Sequence, residues 1–407
     1  MTRTRRQSPA SQSGATRRLT IIGTLMVRDE VDIVAAMVEH HIAQGLDRLI
    51  VTDNGSVDGT TEVLQQYADA GFVELHHDPV HRKQQHVLVT GMARRARTEY
   101  AADWVINADA DEFWVPRDKN LTLREALEGI PLELNAFPVP VTNLVGPPAR
   151  SGAGFDRLCW RDARTKEQLN AIGIFAHPTD NALHRGDPDV VVAQGNHFVN
   201  LKSTGSPDPA LAIEVLHVPW RSWAQHERRV LNTGRAYDAN PDLNPSPNHH
   251  MMNDYRRYQA GRLWYLYLLR LPTEAELLAG EADGRFVRDP WLAEHLHSLV
   301  ERARLPDLLK ACLDRSDEGE VDPAEHASAI AIATLLAGVE RERDEALRDA
   351  RETHRLADRL TAERDKAQRK AASARGAPPR LVDDWTRLIR RTGRAVWRRI
   401  PFVNRGR

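Results

Sequence analysis

The feature that most constrains the fold of this chain is a regular alternation of short apolar runs with helix-patterned segments between residues 19 and 107. The apolar runs predict four strands, at residues 19–27, 48–52, 72–75 and 104–107. The segments between them predict three helices, at residues 31–44, 59–70 and 83–100. Strands that alternate with helices favour a parallel sheet wound by crossover connections, and short apolar strands indicate that both faces are covered. We therefore expect an α/β fold.

Acidic residues follow three of the four predicted strands. The tetrad Asp109-Ala-Asp111-Glu112 comes just after the fourth strand, Asp53 ends the second, and Glu30 follows the first. Ligands bind at the carboxyl ends of the strands in open α/β sheets, so these carboxylates are expected along one edge. Like charges repel, and Mg²⁺ or Mn²⁺ prefers carboxylate oxygens and often shares its coordination sphere with substrate phosphates. The tetrad therefore predicts a metal–diphosphate site, with a solvated acidic loop as the alternative when it is taken alone.

The composition disfavours several classes of protein. A length of 407 residues allows one large domain with appendages, or two domains. A net charge of −1 gives no overall field that would attract nucleic acid, so we expect no nucleic-acid partner. Two cysteines do not make a disulfide framework, and no apolar run is long enough to span a membrane. Together these features favour a cytoplasmic protein.

Changes in composition predict how the chain is divided. The predicted segments are a disordered basic tail at 1–18, an α/β domain at 19–275, a helical extension at 276–338, a long charged helix at 339–375 and a basic amphipathic helix at 380–407. The long charged helix carries Leu356, Leu360 and Ala367 at coiled-coil spacing, but Glu363 and Thr353 interrupt that seam. Self-association through it and a lone extended helix both remain open.

The last predicted helix has one apolar face and one basic face. Trp385 and Leu388 belong to the apolar face, and Arg387, Arg391 and Arg394 to the basic face. This pattern is typical of a helix that lies in a membrane interface, so we expect peripheral association with the inner face of the cell membrane. A helix packed on its own domain and a nucleic-acid-binding tail are the alternatives.

Three motifs taken together resemble the family 2 glycosyltransferases, which have the GT-A fold with a Rossmann-like, mostly parallel sheet. Asp53-Asn-Gly-Ser-Val-Asp-Gly-Thr60 matches that family's Asp-Asp-Gly-Ser-x-Asp-Gly-Thr turn, with Asn54 in place of the second Asp. Met26-Val-Arg-Asp-Glu30 stands at the family's first acidic turn, and Asp109-Ala-Asp111 matches its Asp-x-Asp motif. The Asp-Glu-Phe continuation, with His40-His41 and His217-x-x-Trp220, resembles a bacterial subgroup. The resemblance covers roughly residues 20–235.

The resemblance implies an inverting glycosyltransferase that depends on Mn²⁺ or Mg²⁺. It would move a sugar from a nucleotide-diphosphate sugar to a hydroxyl of a glycan, a lipid-linked acceptor or a surface polymer. Glu30 and Asp53 would hold the nucleoside, Asp109 the ribose or a metal-bound water, and Asp111 the metal. Asn54 leaves the base open, with uridine as the default. His217 is either a further metal ligand or a hydrogen-bonded core residue.

For several other polar residues the sequence allows two interpretations. The cluster Gln84-Gln85-His86 opens the third predicted helix, and the resemblance implies that Gln84 approaches the donor, although it could simply face water. The acceptor needs a general base. Asp156, Asp187, Asp189 and Glu214 are equal candidates, and His197 either lies at the acceptor or fixes a loop. One of Arg221, Arg228 and Arg229 could pair with phosphate, and most of them are expected on a solvated face.

Two rival functions remain. Nucleotidyl transfer on a similar fold usually needs a glycine-rich loop containing Lys or Arg after the first strand, where this chain has Arg28-Asp-Glu30. A non-catalytic scaffold that binds sugar nucleotides on a coiled-coil stalk is the second rival. Metal-dependent binding of a nucleoside diphosphate would favour the enzyme, because a pure scaffold need not show it.

Overall fold

The computed structural model describes residues 17–80, 85–174, 177–240, 250–314 and 321–375. The strands are β1 (Ile21–Val27), β2 (Arg48–Asp53), β3 (Val73–His77), β4 (Trp104–Ala108), β5 (Glu112–Pro116), β6 (Ala136–Val139), β7 (Val141–Val145), β8 (Trp160–Asp162), β9 (Asn181–Arg185), β10 (Ile213–His217) and β11 (Phe286–Arg288). The helices are α1 (Val34–Ala43), α2 (Thr60–Asp69), α3 (Gln85–Tyr100), α4 (Leu123–Gly129), α5 (Lys166–Ala171), α6 (Trp223–Asp238), α7 (His250–Gln259), α8 (Leu263–Arg270), α9 (Glu274–Ala282), α10 (Trp291–Leu299), α11 (Pro306–Leu313) and α12 (Pro323–Arg375).

The larger sheet confirms the predicted α/β class. It has six strands in the order β3-β2-β1-β4-β9-β6. The four strands predicted from the N-terminal alternation pair in parallel, with Val27 beside Asp53 and Leu25 beside Ala108. The three predicted helices α1, α2 and α3 connect them. The remaining two strands, β9 and β6, pair antiparallel, so the sheet is mixed.

The second sheet starts directly from the acidic tetrad. It has five strands in the order β11-β8-β7-β10-β5, and β5 begins at Glu112. Strand β10 runs antiparallel to β5, and this register places His217 beside Glu112. Cross-strand neighbours on adjacent strands lie about 5 Å apart. The pairing therefore brings His217, more than a hundred residues along the chain, to the tetrad.

The core lies between the larger sheet and α1. Residues Val34–Val38 of α1 are at most 2% exposed, because α10 and α11 cover the side of this helix that faces away from the sheet. A helix that is apolar on all sides is stable only when it is covered in this way. Trp104, Phe113 and Trp114 are fully buried in the same cluster. Burial of an apolar side chain such as that of Phe113 contributes about 1.5–3 kcal/mol.

The C-terminal helix is longer than predicted. A single helix, α12, runs from Pro323 to Arg375, so it begins before residue 339, where the long charged helix was predicted. The chain divides into two units after Leu336. In the second unit Leu356 and Leu360 are 56% and 54% exposed, and pairing with another helix stays a prediction. The predicted basic helix at 380–407 and residues 1–16 of the tail lie outside the described residues.

Among the described residues no helix combines the length and the apolar composition needed to cross a lipid bilayer. The predicted segment boundaries at residues 275 and 338 remain predictions.

Candidate functional site

The acidic residues predicted at one edge of the sheet lie there in the structure. Because β1, β2 and β4 run in parallel, the loops that follow them leave from the same edge. Asp53 is the last residue of β2, and the loops after β1 and β4 carry Glu30 and the pair Asp109 and Asp111. Asp53 and Asp111 are each 2% exposed, so both carboxylates need partners within the protein.

The carboxylate of Asp53 organises its own turn. Its Oδ1 accepts hydrogen bonds from the backbone N–H of Ser56 at 3.0 Å and from the Ser56 hydroxyl at 2.6 Å, and its Oδ2 accepts one from Thr61. Gly55 and Gly59 have φ of 72° and 105°, which glycine adopts without strain. Asp53 therefore shapes the loop that follows β2, and its contact with a nucleoside stays a prediction.

Asn54 replaces the second Asp of the family 2 motif and has a structural role. Its Nδ2 donates to the backbone carbonyls of Asp78 at 3.1 Å and Val80 at 2.9 Å. A carboxylate could not donate these bonds. The substitution thus ties the loop after β2 to the loop after β3.

Asp109 sits among amide side chains. Its Oδ1 accepts hydrogen bonds from Nε2 of Gln85 at 3.0 Å and from Nδ2 of Asn196 at 3.2 Å. Gln85 belongs to the polar cluster predicted near the donor, whereas Gln84 lies outside the described residues. The sequence predicted a role for His197, the neighbour of Asn196, and none for Asn196 itself. These two amide groups hold the Asp109 carboxylate in place.

Asp111 is surrounded by two arginines and a histidine. Its Oδ2 forms an ion pair with Nη1 of Arg229 at 2.5 Å and lies 3.4 Å from Nε2 of His217 and 4.0 Å from Nη1 of Arg221. Burial alone would raise the pKa of Asp111, but Arg229, His217 and Arg221 outweigh it and hold that pKa far below the usual range. Asp111 therefore stays ionised at any working pH.

Glu112 has the opposite electrostatic environment. Burial and the neighbouring charge of Asp109 raise the pKa of Glu112 well above its usual range. Its Oε2 accepts hydrogen bonds from Nδ2 of Asn181 at 2.8 Å and from the backbone N–H of Asp109 at 3.1 Å. Nδ1 of His197 lies 3.2 Å from Oδ1 of Asn181. The sequence left Glu112 unassigned, and the structure shows that it links Asp109 to the loop carrying His197.

The fully buried Arg221 is paired with two carboxylates that follow β1. Nε of Arg221 donates to Oδ2 of Asp32 at 2.9 Å, and its Nη2 bonds to Glu30. Burial raises the pKa of Glu30 to about 7, an effect that Arg221 opposes. Arg221 immediately precedes the cap residue Ser222 of α6, and α6 carries Arg229. The sequence expected most of these arginines on a solvated face, which is wrong for Arg221 because its side chain is 0% exposed.

Four of the five candidates for the general base lie away from this site or are already neutralised. Asp156 is exposed and contacts His297. Asp187 and Asp189 follow β9, which is antiparallel to β4, so they lie at the opposite edge of the sheet. Glu214 is paired with Arg161 and Lys119. Burial would raise the pKa of Glu214, but these two cations hold it at about 2.

The predicted metal site does not fit the observed contacts. Each carboxylate of the motif already has its own partner within the protein. Oδ1 of Asp109 accepts a hydrogen bond from Gln85, and Oδ2 of Asp111 accepts one from Arg229. His217 is held by Asn143 at 2.9 Å and points Nε2 at Asp111, as a metal ligand would. Among the described residues, however, no group of three His, Cys, Asp or Glu side chains is placed to bind a metal ion. Bound Mn²⁺ or Mg²⁺ stays a prediction.

Comparison with known protein families bears on the chemistry. The family model described as glycosyltransferase family 92 matches residues 22–136, a stretch that contains Glu30, Asp53, Asp109 and Asp111. This match supports a glycosyltransferase. It covers less than half of the chain and concerns family 92, so membership of family 2 and of its Asp-Glu-Phe subgroup stays a prediction.

Similarity to solved structures is weak. S. aureus TarS 1-349 superposes with a TM-score of 0.32 at 12% identity, covering 61% of this chain and 79% of that chain. Its complex with UDP gives a TM-score of 0.29 at 11% identity, covering 80% and 92%. Mannose-1-phosphate geranyltransferase from Thermus thermophilus gives 0.24 at 12%, covering 40% and 57%. These scores are too low to establish a shared fold or function. A search of curated proteins finds no match.

Proposed function

We propose that this chain is an inverting glycosyltransferase that moves a sugar from a nucleotide-diphosphate sugar to a hydroxyl group of an acceptor. The main support is the convergence of Glu30, Asp53, Asp109 and Asp111 at the carboxyl edge of the parallel sheet, where Glu30 pairs with Arg221 and Asp111 pairs with Arg229 of α6. This edge is where open α/β sheets bind ligands. The family match over the same residues supports the same chemistry.

The reaction is a single displacement at the anomeric carbon. The acceptor oxygen forms a new bond to that carbon, the bond from the carbon to the β-phosphate oxygen breaks, and the acceptor proton passes to a base. The leaving nucleoside diphosphate gains negative charge, which positively charged groups fixed in advance stabilise. Arg229 and Arg221 would supply this charge. Of the five candidate bases, His197 is the one that hydrogen bonds connect to the backbone of Asp109, by way of Asn181 and Glu112.

The finer assignments are extensions of this function. Glu30 and Asp53 would face the nucleoside, with uridine as the default base, and Asp109 would face the ribose. The acceptor would be a glycan, a lipid-linked saccharide or a surface polymer. Work at the inner face of the cell membrane, through the basic helix predicted at 380–407, would suit such acceptors.

The direct experiment is a screen of nucleotide sugars for release of nucleoside diphosphate by the purified full chain. UDP-linked and GDP-linked hexoses and N-acetylhexosamines, each with and without Mn²⁺, form the panel. We expect at least one donor to be hydrolysed or transferred above the rate without enzyme. Asp111→Asn should lower that rate by roughly 10²–10³-fold, because Arg229 loses the carboxylate that orients it. Circular dichroism should show that the variant is folded.

The screen also separates the rival functions. Release of pyrophosphate from a nucleoside triphosphate, with no release of nucleoside diphosphate from any sugar donor, would indicate nucleotidyl transfer. Binding of a nucleoside diphosphate without turnover of any donor would indicate the scaffold. Either result would overturn the proposed glycosyl transfer.

A further inference from the structure

Two arginines occupy the place where the Asp-x-Asp motif predicts a divalent cation. Arg229, on the second turn of α6, pairs through Nη1 with Asp111, and its side chain is 28% exposed. A guanidinium has five N–H donors in a planar fork. One edge of the Arg229 fork is held by Asp111, and the fork remains partly open to solvent.

The second arginine has a donor without a hydrogen bond. Among the described residues Nη1 of Arg221 makes none, although the side chain is 0% exposed, and it lies 4.0 Å from Oδ2 of Asp111. A buried donor left in this state costs free energy, which an anion bound beside it would recover. Nη1 belongs to a guanidinium that Asp32 and Glu30 hold in place, so its direction is fixed.

The helix that carries Arg229 is anchored at two further points. One turn further along α6, Nδ2 of Asn232 donates to Oδ2 of Asp29 at 2.8 Å, which ties the helix to the loop after β1. Ser222 caps the start of the same helix through the backbone N–H of Gln225. Held at both points, α6 presents Arg229 to the edge of the sheet without a further rearrangement.

We infer that Arg229, oriented by Asp111 and assisted by Arg221, holds the diphosphate of the donor, and that the nucleotide binds without a divalent cation. Planar arginine forks match phosphate oxygens in pairs, and such charged hydrogen bonds are about twice as strong as neutral ones. Asp111 then acts as a positioning residue for Arg229 and not as a metal ligand. This inference rests on the proposed function, since it names the groups that hold the same donor.

The test is isothermal titration calorimetry of the full chain with UDP and with GDP, in EDTA and in Mn²⁺. We expect the wild-type protein to bind one of them in EDTA with a Kd within about threefold of its value in Mn²⁺. Arg229→Ala should weaken that Kd by roughly 10–100-fold, the loss expected for charged hydrogen bonds. Arg229→Lys should recover part of the affinity, because it keeps the charge but not the fork.

Arg235→Ala is the matched control, since Arg235 is an exposed arginine on the same helix. Its Kd should equal that of the wild type, and thermal melting should show that all variants are folded. Wild-type binding that requires Mn²⁺, or an unchanged Kd for Arg229→Ala in EDTA, would overturn this inference and leave the proposed function standing. Failure of UDP and GDP to bind under any condition would instead count against the proposed function itself.

Discussion

At the scale of single residues, Arg221 forms a buried pairing with Asp32 and Glu30 at the edge of the site. Removing one member of a buried pair leaves an uncompensated charge and typically costs about 3–5 kcal/mol. We therefore expect Arg221→Met to lower the free energy of unfolding by about that amount, measured by urea denaturation. Arg228, which lies on α6, is 37% exposed, and its guanidinium nitrogens lie 3.8 Å from Asp32 and 3.7 Å from Asp58. Arg228→Met should cost less than about 1 kcal/mol.

Equal losses for the two arginine variants would contradict this account of the pair.

The pairing of Arg221 with Asp32 could not be predicted from the sequence. Asp32 and Arg221 are 189 residues apart, so nothing local to either residue indicates that they meet. The carboxylates at Asp53, Asp109 and Asp111 were predictable because each follows an apolar strand whose direction the alternation fixes. Burial of an arginine depends on the tertiary packing, which the local pattern does not contain.

At the scale of elements, α6, the helix that carries Arg229, packs closely against α7. A Cβ added at Gly234 of α6 would lie 2.3 Å from ring atoms of Tyr255 on α7, near the base of that ring. Gly234→Ala should therefore push the helices apart and lower the free energy of unfolding by about 1–3 kcal/mol. Gly91, exposed within α3 with no atom within 4 Å of an added Cβ, is the matched site. Gly91→Ala should raise stability by up to about 1 kcal/mol.

Thermal melting of the two glycine variants checks this prediction, and a stabilised Gly234→Ala would refute the packing account.

The strands of the larger sheet differ in how far the sequence predicts them. The first four strands were predictable because short apolar runs that alternate with helix-patterned segments are local signals. The direction of β9 was not, since an antiparallel partner of β4 looks the same in sequence as a parallel one. That reversal carries Asp187 and Asp189 to the edge opposite the site.

At the scale of the whole molecule, buried neutral histidines make stability depend on pH. Burial holds the pKa of His41, His184 and His295 at about 4 and that of His40 well below 6.5. Unfolding returns each to its ordinary value near 6.5, so the unfolded chain binds more protons between about pH 6.5 and pH 4. Stability from these four groups is complete above pH 6.5 and is lost as the pH falls.

Two carboxyl groups act in the opposite direction. Burial raises the pKa of Glu30 to about 7 and that of Glu112 well above its usual range, so the folded state binds their protons more tightly. Their contribution is present at low pH and is lost as the pH rises. Because four histidines oppose two carboxyls, we expect the melting temperature to fall from pH 6.5 to pH 4. A constant or rising melting temperature over that range would contradict the assignment of these histidines as neutral.

The central claim, that the carboxyl edge of the parallel sheet is the donor site, is tested most directly by comparing two conservative variants at opposite edges. Asp111→Asn removes the charge that faces Arg229, whereas Asp187→Asn keeps the oxygen that accepts from the backbone N–H of Asp189. The measurement is the rate of nucleoside diphosphate release from the best sugar donor. The account predicts a loss of roughly 10²–10³-fold for Asp111→Asn and an unchanged rate for Asp187→Asn. Wild-type release by Asp111→Asn, or an equal loss in both variants, would contradict it.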